Sequence, residues 1–125
     1  MGIKFFLFVG LGGALGSVIR ALISQTFSNY SLFATVMANL GGAFLIGCLV
    51  KWGDNHSSGE LFRAFWIIGI CGGFTTFSTF GYDLFGLLQR GSWIASMCYL
   101  LSNLLGTLIF IWLGFRASSL SFKFF

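Results

Sequence analysis

Charged side chains are scarce in this sequence. Asp, Glu, Lys and Arg make up 8% of its 125 residues, and the acidic residues number three. A soluble domain carries about 25% charged residues. Because 57% of the residues are hydrophobic, the chain cannot cover a soluble fold with a solvated polar surface. It is therefore predicted to be an integral membrane protein, which excludes a soluble enzyme domain.

The length fits a single all-α domain of four transmembrane helices over residues 1–125. Each span needs about 20 apolar residues, so four spans and short loops use the whole chain. The apolar runs place the spans at about residues 3–27, 32–50, 61–88 and 92–115. A hydrophilic loop at residues 53–60 separates the second span from the third, and it contains Asp54, Asn55, His56 and Glu60.

Side chains that bind metals or act as nucleophiles are also few. The three cysteines, Cys48, Cys71 and Cys98, lie in separate apolar runs without a CxxC pattern, which is typical of small buried hydrophobic residues. The single histidine, His56, has no neighbouring ligands. The sequence thus contains no nucleophile–base pair and no side-chain metal cluster, and an enzyme is not expected. Nucleic acid is not an expected partner either, because the basic residues lie at span ends, as at a lipid surface.

Small residues recur inside the spans. A GxxxG motif lies in the first span, and further glycines are spaced along the second and fourth spans. Apolar side chains gain little by leaving lipid, so small residues stabilise helix pairs by permitting close backbone approach. Tight packing is therefore predicted at Gly12, Gly16, Gly41, Gly42, Gly47, Gly106 and Gly114.

The third span is too long for a straight crossing. Residues 61–88 number 88 − 61 + 1 = 28, which as one helix measures roughly 42 Å against a hydrocarbon core of about 30 Å. Its midpoint, near Phe74 and Thr75, lies in a run of glycines, threonines and a serine that favours helix poorly. We expect a broken helix there, with backbone groups that protein, water or an ion must satisfy. The alternative is a tilted helix whose hydroxyl groups bond to carbonyls one turn earlier.

Polar residues within the spans form stripes. Thr35 and Asn39 are four residues apart, as are Tyr99, Asn103 and Thr107, so each set shares one helix face. Phe77 and Phe80 share a face if the helix resumes after the break. Polar groups in lipid are costly and mark functional positions, although such a stripe can also serve only to hold helices together.

The scarcity of carboxylates among these polar residues favours an anion as the ligand. Asp83 is the only carboxylate within an apolar run, and Arg20 lies late in the first span. Amide, hydroxyl and phenol groups beside aromatic rings suit an anion path, since a cation path requires carboxylates or rings of carbonyls.

The segment GGFTTFSTF at residues 72–80 resembles the signature of the small bacterial fluoride channels, the Fluc (CrcB) family. So do the GGALG run at 12–16 with Arg20, and ANLGG at 38–42. The resemblance extends over all four spans. It implies a multi-pass protein of the bacterial inner membrane that exports fluoride passively and relieves its toxicity. It also implies an antiparallel, dual-topology homodimer with two pores and a structural sodium ion at the dimer centre.

The same resemblance assigns roles to single residues. Phe77 and Phe80 look like the pore phenylalanines, whose ring edges face the ion. Gly72 and Thr75 look like the residues whose backbone carbonyls, from both subunits, hold sodium, and Arg20 is placed in the vestibule. The family more often has serine at the positions of Asn103 and Thr107. The remaining residues assigned to the fluoride pore are Asn39, Thr35, Tyr99, Asn103, Thr107 and Ser78.

Two other classes remain to be weighed against a channel. A small multidrug exporter also has four short helices, but it needs a carboxylate in its first helix, and residues 3–27 contain none. A scaffold held together by glycine packing would leave the polar stripes without a purpose. On topology, five basic residues fall on the side of the N-terminus and two on the other, a bias toward one orientation where dual topology requires near balance.

Overall fold

The computed structural model describes residues 2–54 and 59–121. Within them, four helical stretches are long and apolar enough to cross a membrane: Ile3–Thr26, Ser28–Val50, Gly59–Gln89 and Trp93–Ser119. The prediction of four apolar spans in an all-helical protein is confirmed. Of the loop predicted at residues 53–60, Asn55 and His56 lie outside the described residues. Asp54 instead ends a helix, and Glu60 lies in the first turn of the next.

The helices follow the apolar runs closely. We number them α1 to α5, where α3 and α4 together make up the third span. A single 3₁₀ turn, Ser28–Tyr30, joins the first two. The third span begins with α3, which comprises Gly59–Phe62, a π-helical stretch Arg63–Cys71 and Gly72–Phe74. The other helices are α1 (Ile3–Thr26), α2 (Ser31–Asp54), α4 (Phe77–Gln89) and α5 (Trp93–Ser121).

Two threonines connect α3 to α4 with extended backbone. Thr75 has φ −81° and ψ 158°, and Thr76 has φ −151° and ψ 118°. The Thr76 hydroxyl oxygen then accepts a hydrogen bond from the backbone N–H of Thr79 at 3.1 Å, which caps the first turn of α4. Paired glycines and β-branched threonines favour helix weakly, and this is where the extended residues occur.

Helices α1 and α3 touch along their backbones. A Cβ atom at Gly12 would overlap the carbonyl oxygen of Phe65, and one at Gly16 would overlap that of Ile70. Gly73 approaches the carbonyl of Gly13 in the same way. The close packing predicted for Gly12 and Gly16 is therefore confirmed. It holds α3 against α1 as far as the extended segment.

Helices α2 and α5 form a second close pair. A Cβ atom at Gly47 would overlap the carbonyl oxygen of Ile111, and one at Gly114 would overlap that of Phe44. At Gly106 a Cβ atom would lie 2.7 Å from a methyl group of Leu40. The predicted packing at these three glycines is likewise confirmed. It brings the polar stripes of α2 and α5 to the same height.

We expect Gly16→Ala to destabilise the fold, by about 1–3 kcal/mol for a forced overlap in a packed interface. The added methyl would overlap the Ile70 carbonyl and lie 2.8 Å from the Phe74 backbone nitrogen. Gly10→Ala is the matched control in the same helix, because a Cβ there meets nothing within 4 Å. Thermal unfolding of both variants in detergent tests this, and equal midpoints would contradict the close contact.

Apolar side chains cover most of the outer surface. Phe6, Leu15, Ile94 and Leu108 are exposed, as in a protein whose surface meets lipid or another membrane-embedded chain. Among the cysteines, Cys71 is buried as predicted, whereas Cys98 is exposed on this apolar surface. Together with its four spans, this surface makes the chain a multi-pass membrane protein.

Candidate functional site

Polar side chains from three helices meet beside the extended segment. Residues four apart lie one above the other on a helix, so each stripe lies on a single helix face. The stripe of α2 faces that of α5, since Asn39 of α2 is hydrogen-bonded to Asn103 of α5. Thr35, Tyr99 and Asn103 are buried, and Asn103 is only 4% exposed. The predicted stripes are thus brought together inside the bundle.

The amide of Asn39 binds the extended segment. Its Nδ2 donates to the Thr76 carbonyl at 3.2 Å, and its Oδ1 accepts from the Thr76 backbone N–H at 2.8 Å. The same Nδ2 donates to Asn103 Oδ1 at 2.8 Å. One amide of α2 therefore joins the extended segment to α5.

The carboxylate of Asp83 on α4 accepts hydrogen bonds from both polar stripes. Its Oδ2 accepts hydrogen bonds from the Thr35 hydroxyl and from the Tyr99 hydroxyl, each at 2.9 Å. The sequence identified Asp83 as the only carboxylate within an apolar run but gave it no partner. Its position one turn after Phe80, and hence on the same helix face, was the signal that could have placed it here.

Three aromatic rings lie in contact, tilted against one another, across α4 and α5. The centroids of Phe77 and Phe80 are 5.5 Å apart, and those of Phe80 and Tyr99 are also 5.5 Å apart. Phe80 is 4% exposed, whereas Phe77 is 77% exposed. The pair predicted from the sequence therefore extends from the interior of the bundle to its outer surface. Ser78 is exposed in the first turn of α4, with its hydroxyl 3.3 Å from that of Thr76.

A cavity of about 560 Å³ lies between α2, α5 and the extended segment. Its aliphatic wall comes from α2 and α5, while its polar and aromatic wall includes most of the predicted pore residues. A second cavity of similar size, lined by Asp83 and Arg90 among others, lies beyond the stripe toward the α4–α5 turn. The first cavity is lined by Asn39, Ala43, Ile46, Thr75, Thr76, Phe77, Phe80, Asn103, Leu104, Thr107, Leu108 and Ile111.

Arg20 lies apart from this cavity. Its Nε donates to the carbonyl of Gly73 at 3.0 Å, and the Ser17 hydroxyl lies 3.5 Å from the same oxygen. Neither cavity includes Arg20 in its lining. The structure thus places this arginine against the backbone that precedes the extended segment.

The extended segment removes the helical donors of two carbonyls. In a continuous helix, the N–H of Thr76 would bond to the Gly72 carbonyl and that of Thr79 to the Thr75 carbonyl. Here Asn39 Oδ1 takes the first N–H, and the Thr76 hydroxyl takes the second. Gly72 and Thr75 therefore present carbonyl oxygens of the kind that hard cations bind. Over the described residues, no three His, Cys, Asp or Glu side chains group as metal ligands.

A family model described as CrcB-like protein, Camphor Resistance (CrcB), matches residues 7–115. The chain belongs to the CrcB family. It is 36% identical over 120 residues to a protein of Campylobacter fetus named as a fluoride-specific ion channel, covering 92% of this chain and 94% of that one. A protein of the same name from Leptospira interrogans is 40% identical over 119 residues, covering 89% and 91%. This family is one of ion channels and not of enzymes, and the resemblance inferred from the sequence is confirmed.

A third relative extends the comparison. A fluoride-specific ion channel of Gloeobacter violaceus is 37% identical over 115 residues, which covers 88% of this chain and 92% of that protein. The CrcB match includes the whole polar stripe and the extended segment, since residues 7–115 contain both. The site described above therefore lies within the part of the chain that the family shares.

Proposed function

We propose that this protein is a fluoride-selective channel that lets fluoride leave the cell passively and so relieves fluoride toxicity. The observation that carries the proposal is the lining of the first cavity. It combines two amides, three threonine hydroxyls and two phenylalanine rings, and it contains no carboxylate. The relatives named as fluoride-specific ion channels support the same ion.

The chemistry of this lining suits fluoride. A small, strongly hydrated anion enters a membrane only where donors replace its water, and amide and hydroxyl groups are such donors. The edges of Phe77 and Phe80 add the positive rim of an aromatic quadrupole. The aliphatic wall opposite, formed by Ala43, Ile46 and Ile111 among others, keeps the passage narrow and partly dry. A larger, more weakly hydrated anion such as chloride fits this passage less well.

The working unit is proposed to be an antiparallel homodimer with two pores. One chain leaves Phe77 77% exposed, and the cavity beside it opens on the outer face of a four-helix bundle. A second copy packed against this face would enclose the cavity and bury the ring. Insertion in both orientations would then produce the antiparallel pair.

We also propose a structural sodium ion at the centre of that dimer. The Gly72 and Thr75 carbonyls lose their helical donors to Asn39 and Thr76, and two chains supply four such oxygens. An ion held there would satisfy backbone that lipid leaves bare, and its charge would offset that of an anion passing nearby. The extended residues Thr75 and Thr76 then act as the break of a discontinuous transmembrane helix.

The proposed location is the inner membrane of a bacterium, in contact with lipid over the apolar outer surface. The relatives compared above come from bacteria, and a channel that removes fluoride from the cytoplasm has to lie in the membrane that bounds it.

Fluoride efflux from proteoliposomes tests the channel proposal. We expect purified protein to release internal fluoride, detected with an ion-selective electrode, at least about a hundredfold faster than chloride. That ratio corresponds to about 2.7 kcal/mol of selectivity, at tenfold per about 1.36 kcal/mol. Protein-free liposomes are the control. No fluoride release, or equal release of chloride, would refute the proposed function.

A further inference from the structure

The extended segment deprives one more carbonyl of its helical donor. In a continuous helix, the N–H of Phe77 would bond to the carbonyl oxygen of Gly73. Gly73 instead lies in the last turn of α3, and Phe77 begins α4 beyond two residues of extended backbone. Lipid supplies no donor within a span, so another part of the protein has to satisfy the Gly73 oxygen.

Helix α1 supplies that donor from its side chains. Arg20 Nε donates to the Gly73 oxygen at 3.0 Å, and the Ser17 hydroxyl donates to the same atom at 3.5 Å. Ser17 and Arg20 are three residues apart and therefore share one face of α1. Arg20 thus takes the place that the Phe77 N–H would have in a continuous helix.

Backbone contacts between α1 and α3 fix the position from which Arg20 reaches this oxygen. A Cβ atom at Gly73 would overlap the carbonyl of Gly13, and one at Gly16 would lie 2.8 Å from the Phe74 nitrogen. Because the two backbones touch at these points, the arginine side chain starts at a set distance from the last turn of α3.

The bond also suits the electrostatics of a helix end. The last carbonyls of a helix carry partial negative charge, and a cation beside them is stabilising. A charged side chain within a span is costly unless it is paired. Asp83, the only carboxylate within an apolar run, bonds to Thr35 and Tyr99 instead. The carboxyl end of α3 is therefore the partner that the structure gives to the charge of Arg20.

We propose that Arg20 is a positioning residue that caps the carboxyl end of α3 and, through Gly73, holds the extended segment and the ring of Phe77 in place. Arg20 lines neither cavity, so it acts on the ion path through the backbone. Its effect on efflux rests on the proposed channel function, whereas the capping bond does not. The alternative is that its charge acts at a distance and attracts anions toward the path.

Two substitutions of matched length separate these roles. Counted along the side chain, glutamine has its amide nitrogen, and methionine its terminal methyl group, at the position of arginine Nε. Arg20→Gln therefore keeps an N–H donor at that position and removes the charge, whereas Arg20→Met removes both. A role of the charge alone predicts the same result for the two variants.

Fluoride efflux from proteoliposomes is the first measurement. We expect Arg20→Met to lose about tenfold to a hundredfold in efflux, since a hydrogen bond to a charged group contributes on that scale. A neutral donor bonds about half as strongly, so we expect Arg20→Gln to lose about threefold to tenfold. Equal losses in the two variants would show that the charge acts at a distance, and full efflux from Arg20→Met would also overturn the positioning role.

The second measurement observes the Gly73 carbonyl by nuclear magnetic resonance. Labelling glycine carbonyls with ¹³C and phenylalanine with ¹⁵N selects Gly–Phe pairs, and the sequence contains two, Gly73–Phe74 and Gly114–Phe115. We expect the Gly73 carbon signal to move upfield in Arg20→Met, because its oxygen loses the charged donor, and to move less far in Arg20→Gln. Gly114, which packs against α2, is the internal reference. An unmoved Gly73 signal in Arg20→Met would refute the cap.

Arg90→Met is the matched control for the loss of an arginine that bonds to a glycine carbonyl. Arg90 Nε donates to the Gly86 carbonyl at 3.0 Å, but within its own helix and in an exposed position. We expect that variant to leave the Gly73 signal in place. A Gly73 signal that moves equally in Arg90→Met and Arg20→Met would contradict the assignment of the shift to the capping bond.

A further variant keeps the comparison possible if Arg20→Met does not fold. Arg20→Lys keeps the charge, but lysine is more strongly hydrated and has its nitrogen one atom farther along the side chain. We then expect lower efflux from Arg20→Lys than from Arg20→Gln, and the reverse order would overturn the positioning role. If the unmodified protein releases no fluoride, the channel proposal fails, whereas the Gly73 signal still decides whether Arg20 caps α3.

Discussion

Replacing Phe80 with Ile is expected to lower fluoride efflux by about a hundredfold, and Phe77→Ile is expected to do the same. A hundredfold loss corresponds to about 2.7 kcal/mol of anion stabilisation. Isoleucine fills much of the volume of phenylalanine but has no quadrupole, so the positive ring edge is lost. Efflux from proteoliposomes at equal protein content measures the effect.

The two rings differ in what else the substitution removes. Phe80 is buried against Tyr99, with centroids 5.5 Å apart, so Phe80→Ile also loosens the contact between α4 and α5. Phe77 is exposed on the single chain, so Phe77→Ile leaves that packing intact. A similar loss of efflux in both variants would therefore implicate the rings and not the packing. Size-exclusion chromatography checks that the proposed dimer remains.

Phe6→Ile is the control for the loss of a phenylalanine as such. Phe6 is exposed on α1, outside both cavities, and we expect full efflux from that variant. Full efflux from both Phe77→Ile and Phe80→Ile would show that neither ring contacts the ion path.

The helical part of this fold could be predicted because lipid imposes simple rules on sequence. An apolar run of sufficient length has to form a helix, since no water satisfies its backbone. Glycines at Gly12, Gly16, Gly47 and Gly114 likewise indicated close contacts, and all four lie where a Cβ would overlap a neighbouring carbonyl. In each case a single local pattern determines the outcome.

The partners of the polar side chains could not be predicted in the same way. Thr35 and Asp83 are 48 residues apart and Asn39 and Asn103 are 64 apart, so their pairing depends on the relative rotation and height of separate helices. A stripe at intervals of four residues specifies which face is polar but not what it meets. The bond from Arg20 to Gly73 was missed for this reason.

The π-helical stretch Arg63–Cys71 was also not predicted. A π-helix uses the same apolar residues as an α-helix and differs only in the residue to which each N–H donates. Hydrophobic pattern alone does not separate the two. It ends directly before Gly72, so three residues separate it from the extended segment that begins at Thr75.

Removing sodium is expected to stop fluoride efflux, with at least a tenfold loss that is reversed when sodium is restored. The Gly72 and Thr75 carbonyls have lost their helical donors to Asn39 and Thr76. A buried carbonyl left without a partner costs about 1–3 kcal/mol, and a dimer would have four of them close together. Without a cation, the extended segment would shift to satisfy these oxygens, and the ring of Phe77 two residues later would move with it.

The measurement replaces sodium with a large organic cation on both sides of the membrane, and fluoride efflux is followed as the protein-bound sodium content falls. Sodium content is determined on the same samples by atomic absorption, because a buried ion leaves slowly and an unchanged efflux is informative only after it has left. Replacing potassium while sodium is kept is the control, and we expect no change. Full efflux from protein shown to hold no sodium would refute the proposed ion site. It would leave the channel proposal intact, because fluoride would still cross the membrane.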